Sequence, residues 1–89
     1  MRYQVSYLPS VYETLEKMDT YTRRIITNWI GKNLVDCEDP RVRGKPLSKD
    51  RAGLWRYRIG DYRIIVEIKD NKLIILVIAI GHRREVYEK

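Results

Sequence analysis

The sequence predicts an α+β domain of order β-α-α-β-β-β, in which a helix hairpin packs on one face of an antiparallel sheet. Two apolar stripes with helical spacing lie before residue 37, and an apolar strand lies near the end of the chain. Between them, Gly60-Asp61 separates two runs rich in β-branched and aromatic residues, which is typical of a two-residue hairpin turn. The 89 residues suffice for a single domain, 1–89.

The N-terminal part is predicted to form one strand and two helices. Alternation of polar and apolar residues over 2–7 indicates a short, half-buried strand that ends at Pro9. Pro9 suits the first turn of a helix that runs to about Asp19. Thr20 is the expected N-cap of a second helix, whose apolar stripe reaches about Asp36.

The C-terminal part is predicted to be a long loop followed by an antiparallel meander. Residues 37–53 form the loop, which contains two prolines and two glycines. After the central hairpin, Asp70-Asn71 is a second candidate for a tight turn. The run from Leu73 to Ile80 is apolar throughout, so we expect a central strand that is buried on both faces.

The central hairpin has one apolar and one basic face. A turn at Gly60-Asp61 places Arg58 opposite Arg63 and Arg56 opposite Ile65. The period of two then gives a core face that consists of Trp55, Tyr57, Ile59, Tyr62, Ile64, Val66 and Ile68. The three arginines share the other face, where opposed like charges destabilise a sheet by tenths of a kcal/mol.

Folding alone does not explain these arginines, whereas an anionic ligand does. Alternate residues of a strand lie about 6.6 Å apart, which suits successive phosphates, and the guanidinium fork matches phosphate oxygens. The alternative is a solvated basic face that binds nothing.

The net charge of +6 is concentrated in one segment. Residues 41–63 hold eight basic and two acidic residues, so the rest of the chain is neutral overall. Such a patch favours nucleic acid over a membrane surface. Beyond the hairpin arginines, the candidate RNA-binding residues are Arg41, Arg43, Lys45, Lys49, Arg51 and Arg84. Because Cys37 is the only cysteine and no signal peptide is evident, we expect a cytoplasmic protein.

The chemistry open to this chain is metal-independent phosphate chemistry. A single histidine and a single cysteine do not make a zinc site, and no nucleotide-binding motif occurs, so we expect no cofactor. Cleavage of RNA needs a base, an acid and fixed positive charge. Arginine supplies charge but stays protonated, which leaves His82, Glu85 and Tyr87 as titratable candidates. His82 can equally be a surface histidine, and Tyr87 can stack on a base or pack on the sheet.

The motifs Leu54-Trp-Arg-Tyr-Arg-Ile-Gly-Asp-Tyr-Arg-Ile-Ile65 and Ile80-Gly-His-Arg-Arg-Glu-Val-Tyr87 resemble the RelE/ParE superfamily of toxins, and look most like its RelE-type messenger RNA interferases. The resemblance covers nearly the whole chain. It implies a RelE-like fold and a ribosome-dependent endoribonuclease that cleaves messenger RNA in the ribosomal A site by attack of a 2′-hydroxyl. It also implies a RelB-like antitoxin that neutralises the toxin in a hetero-oligomer.

The resemblance implies roles for individual residues. Arg56 and Arg58 match basic strand residues that contact the scissile phosphate or transfer protons, and Arg63 matches an arginine that stabilises the transition state. Arg83 and Tyr87 match the arginine and tyrosine of the C-terminal motif. The best-known members have lysines at the first two positions, so the arginines here shift the expected base partly to His82.

The sequence is compatible with two other functions. One is a ParE-type toxin that inhibits DNA gyrase without cleaving anything, since the first motif is shared with that branch. The other is a non-catalytic basic RNA-binding relative, which would bind RNA in a salt-dependent way and cut nothing.

Overall fold

The fold was analysed in a computed structural model, which describes residues 2–47 and 53–82. Within these residues the elements are β1 (Gln4–Tyr7), α1 (Pro9–Lys17), α2 (Thr20–Asn33), β2 (Lys45–Pro46), β3 (Leu54–Ile59), β4 (Tyr62–Lys69), a 3₁₀ turn (Asp70–Lys72) and β5 (Ile74–His82). The strand order in the sheet is β1-β5-β4-β3-β2. The predicted α+β class and helix hairpin are confirmed, but the sheet is mixed because β1 runs parallel to β5.

The helices are slightly shorter than the apolar stripes indicate. Asp19, not Thr20, caps α2: its carboxylate accepts a hydrogen bond of 3.1 Å from the backbone N–H of Thr22. The helix ends at Asn33, and the chain turns at Asp36, whose φ of 63° lies in the left-handed region. The apolar stripe continued past the helix end because Leu34 still packs in the core.

The central hairpin has the predicted register. Ile59 pairs with Tyr62, Arg58 with Arg63, and Arg56 with Ile65. Gly60 has a φ of 59°, which glycine adopts without the steric cost that a side chain brings. The second turn differs from the prediction, because the 3₁₀ turn and Leu73, with a φ of 54°, replace a two-residue loop at Asp70-Asn71.

The last strand, β5, lies inside the sheet between β1 and β4, but only one of its faces belongs to the core. Ile75 and Val77 are buried, whereas Leu76 and Ile78 on the other side are half-buried. The expectation of burial on both faces is therefore wrong: the helices cover one face only. The register of β5 against β4 shifts by one residue at Ile78, which is a β-bulge.

The core lies between the helices and the predicted apolar face of the hairpin. Helix α1 contributes Val11 and Leu15, and α2 contributes Ile26 and Ile30. On the sheet side, the buried members of the same cluster are Tyr57, Ile59, Ile64, Val66, Ile68, Ile75, Val77 and Ile80. The helices thus fix which face of the sheet is turned away from them. In the described part of the chain, neither helix is long and apolar enough to cross a bilayer.

Candidate functional site

The sheet face turned away from the helices carries Arg56, Arg58 and Arg63, and we call it the arginine face. Strand β3 supplies Arg56 and Arg58, and β4 supplies Arg63 directly opposite Arg58. Residues opposite each other in an antiparallel pair have Cα atoms about 4.5 to 5.5 Å apart. The structure therefore brings together the three strand arginines that the sequence singled out.

The three guanidinium groups differ in their exposure. Arg58 is exposed and Arg56 is half-buried, whereas Arg63 is only 6% exposed. A buried side chain has fewer rotamers open to it than an exposed one. Arg63 thus has the least conformational freedom of the three side chains, and Arg58 is the most open to solvent.

Lys45 joins the same face from a strand that sequence reasoning missed. The loop predicted over 37–53 contains β2, in which Lys45 pairs with Arg56 and Pro46 pairs with Trp55. A strand of two residues has almost no periodic signal. The one sequence cue was Pro46, because proline within a sheet is confined largely to edge strands, and β2 lies at the edge.

Arg41, a predicted RNA-binding residue, is engaged elsewhere. Its Nη1 and Nη2 donate hydrogen bonds of 3.1 and 2.7 Å to the two oxygens of Asp70, and its guanidinium lies 5.5 Å from the ring centroid of Trp55. The hydroxyl of Tyr3 donates a 2.6 Å bond to the same carboxylate. We call these four residues the Asp70 clamp.

The charges of the clamp stabilise each other. The hydrogen bond from Arg41, followed by that from Tyr3, lowers the pKa of Asp70. The same bond to Asp70 raises the pKa of Arg41. Asp70 follows the end of β4 that lies away from Arg63, so the structure does not bring Arg41 to the arginine face. No pattern in the sequence links Tyr3 or Arg41 to a carboxylate 67 or 29 residues away.

The chain between α2 and β2 is held against the sheet. The buried hydroxyl of Tyr57 donates a 2.5 Å hydrogen bond to the carbonyl of Pro40. A Cβ on Gly44 would lie 2.8 Å from Cε1 of Tyr57, so only glycine fits this close approach. Arg43 instead lines an open groove along α2 with Trp29 and Lys32. The three basic residues of this segment therefore lie in three different surroundings: Arg41 at Asp70, Arg43 against α2 and Lys45 on the arginine face.

His82 lies on the helix side of the sheet. It pairs with Tyr62, a residue of the core face, and the two rings meet edge-on with centroids 5.7 Å apart. With Tyr62 and Asp19 it lines a cleft beside the end of α1. The cross-strand neighbour of Arg63 is Gly81. The geometry therefore does not bring His82, a predicted candidate for the base, together with the arginines.

Six further candidate residues lie outside the described part of the chain: Lys49, Arg51, Arg83, Arg84, Glu85 and Tyr87. Cys37 is free and half-buried, and burial raises the pKa of its thiol.

Known proteins are similar to this chain in sequence and in fold. A family model for the ParE toxin of the type II toxin-antitoxin system parDE matches residues 5–87. The toxin RelG of Mycobacterium tuberculosis is 25% identical over 89 residues, which is the full length of both chains.

Solved structures show the same architecture. The toxin-antitoxin complex RelBE2 of M. tuberculosis contains a chain with a TM-score of 0.80 and 24% identity, with 93% of each chain covered. A mutant of the E. coli toxin RelE in the free state gives a TM-score of 0.77 at 20% identity, covering 99% of this chain and 90% of that one. The archaeal RelE-RelB complex of Pyrococcus horikoshii gives 0.67 at 20% identity, covering 93% and 97%. Since the family model spans nearly the whole chain, this protein belongs to the RelE/ParE superfamily of toxins from type II toxin-antitoxin systems.

Proposed function

We propose that this toxin is a metal-independent endoribonuclease that cleaves messenger RNA in the ribosomal A site and so stops translation. The observation that carries the proposal is the convergence of Arg56, Arg58 and Arg63 on one sheet face, with Arg58 and Arg63 directly opposed. Like charges directly opposed across a strand pair destabilise the sheet, and a phosphodiester bound between Arg58 and Arg63 offsets their repulsion.

The proposed reaction is attack of a 2′-hydroxyl oxygen on the adjacent phosphorus. The new O2′–P bond forms while the P–O5′ bond breaks, which leaves a cyclic phosphate and a 5′-hydroxyl. The 2′-oxygen loses a proton, and the departing 5′-oxygen gains one. We assign the arginines to the negative charge that builds on the phosphoryl oxygens, since guanidinium groups stay protonated. The ribosome fixes the substrate strand, which lowers the entropic part of the barrier.

The same face supports a proposal for the partner. Related toxins have been solved in complex with RelB antitoxins. We propose that a RelB-like antitoxin neutralises this toxin, with an acidic segment over the arginine face and an apolar helix on the sheet or helices, in a hetero-oligomer in the cytoplasm. Such a segment would fold as it binds.

A second candidate is inhibition of DNA gyrase without cleavage. The matching family model is that of the ParE toxin, which favours this reading. The strand arginines together with Tyr87 argue for the nuclease, because Tyr87 belongs to the C-terminal motif that resembles the RelE-type members.

The deciding experiment is primer extension on a reporter messenger RNA incubated with purified toxin, with and without programmed ribosomes. We expect cuts at codon positions only when ribosomes are present. Protein shown to be folded that gives no cut under either condition would refute the proposal, and DNA damage signalling on expression would then favour gyrase as the target.

Variants test the assignment of roles. Arg58→Gln keeps a polar side chain at an exposed position, and we expect it to slow cutting by about a hundredfold, the usual effect of losing one transition-state donor. Arg24→Gln removes an exposed arginine from α2 and should cut like the wild type. His82→Ala should also retain cutting, because His82 lies on the opposite face of the sheet from the arginines. Loss of cutting in folded His82→Ala would contradict this expectation and would support His82 as the general base.

A further inference from the structure

The edge strand β2 extends the arginine face beyond the hairpin. The register of β2 against β3 is fixed by the pairing of Lys45 with Arg56 and by a 3.0 Å hydrogen bond from the N–H of Leu47 to the carbonyl of Leu54. Directly opposed residues of an antiparallel pair project from the same face. Lys45 therefore projects from the sheet on the side of the arginines, and its side chain is exposed.

The four cations form a continuous row across three strands. Lys45 and Arg56 are opposed, as are Arg58 and Arg63, and each opposed pair spans about 5 Å between Cα atoms. Arg56 and Arg58 are two residues apart on β3, or about 6.6 Å. The row thus leads from the buried Arg63 to the open edge of the sheet. Its length exceeds the span of one phosphate.

We propose that Lys45 binds a second phosphate of the RNA, next to the one held by the hairpin arginines, so that a single-stranded segment leaves the site across β2. This inference rests on the proposed function and names the substrate as an extended single strand. The residue types agree with it, because a lysine is a compact point charge for a phosphate that does not react, whereas arginines offer the planar fork.

The other cations of the same segment sharpen the proposal. Arg41 is held by Asp70, and Arg43 lies against α2. Arg41, Arg43 and Lys45 alternate along the chain, but among these three residues only Lys45 joins the arginine row. Binding of RNA by this segment should therefore depend on Lys45 and not on charge in general.

The test is a salt titration of RNA binding. The probe is a fluorescent single-stranded RNA of about eight nucleotides with 2′-O-methyl groups, which block the attacking hydroxyl. Each phosphate contact with a single strand contributes about 0.7 to the slope of log K against log salt. We expect Lys45→Ala to reduce the magnitude of that slope by about 0.7 and to weaken binding at about 50 mM salt. Lys45→Arg should restore the slope.

The matched control is Lys32→Ala, which removes an exposed lysine from α2 and changes the net charge equally. An equal loss of slope in Lys32→Ala would show general electrostatics and overturn the proposal. An unchanged slope in Lys45→Ala, or no binding by the wild type at low salt, would also overturn it. If Lys45→Ala weakens antitoxin binding with RNA binding intact, Lys45 belongs to the protein partner, and the proposal again fails.

The two proposals fail separately. A Lys45-dependent slope in a toxin that makes no ribosome-dependent cut would refute the nuclease and leave an RNA-binding row. Ribosome-dependent cuts with a slope that does not depend on Lys45 would refute only the second phosphate position.

Discussion

The opposed pair Arg58 and Arg63 leads to a prediction about stability. Replacing Arg58 by Gln removes the repulsion and retains a polar side chain of similar reach. Two unit charges about 6 Å apart repel by about 0.7 kcal/mol in water. A Debye length of about 8 Å at 0.15 M salt would reduce this to about 0.3 kcal/mol if both charges were exposed, and because Arg63 is buried the repulsion lies between these two values. For a domain of this size, that range corresponds to a rise in Tm of about 1 to 5 °C.

The assay is thermal unfolding followed by circular dichroism at low and at high salt. Arg24→Gln on α2 is the matched control, because it removes the same charge, and the residues four before and after it, Thr20 and Asn28, are uncharged. We expect Arg58→Gln to melt above the control at low salt, with a smaller difference at high salt. A Tm equal to or below that of the control at low salt, or a difference that salt does not change, would refute the argument that the arginines oppose folding.

Two further predictions concern the segment that leads to β2. Tyr57→Phe leaves the buried carbonyl of Pro40 without its donor and should lower the free energy of unfolding by about 1 to 3 kcal/mol in urea denaturation. The control, Tyr21→Phe, changes a ring that is 75% exposed and should leave the free energy of unfolding unchanged. Equal urea midpoints for the two variants would contradict a stabilising role for the Tyr57 hydrogen bond. Because the bond from Arg41 lowers the pKa of Asp70 in the fold, its stabilisation is present above the carboxyl's unfolded-state pKa and is lost as the pH falls through the folded-state value. Asp70→Asn should therefore be less stable than the wild type at neutral pH and converge with it in acid, and a constant gap in urea midpoints across that range would count against the clamp.

The central hairpin could be predicted because its determinants are local. Gly60 permits the left-handed turn, the turn length fixes the register, and the register assigns every side chain to a face. Arg58 and Arg63 could therefore be placed opposite each other before any tertiary contact was known. The helices could also be predicted, because their apolar stripes are local patterns. The errors lie at the helix ends, where Asp19 and not Thr20 is the N-cap of α2.

Strand β2 and the Asp70 clamp could not be predicted because they depend on distant contacts. Lys45 enters the sheet through pairing with Arg56, across a segment that reads as a loop by composition. Arg41 has the same charge and lies four residues earlier, yet it meets Asp70. Net charge therefore located the basic segment correctly but did not show which of its cations share a face.

The position of His82 shows how one inserted residue changes the chemistry available to a site. Alternation assigns faces only while the register is unbroken, and the bulge at Ile78 inverts the alternation in the last part of β5. In a run that is apolar throughout, no polar residue reveals the break. Beyond the bulge, Gly81 rather than His82 is the neighbour of Arg63. Directly opposite the buried arginine, the described end of β5 therefore has a glycine, and the histidine contacts Tyr62 on the helix side instead.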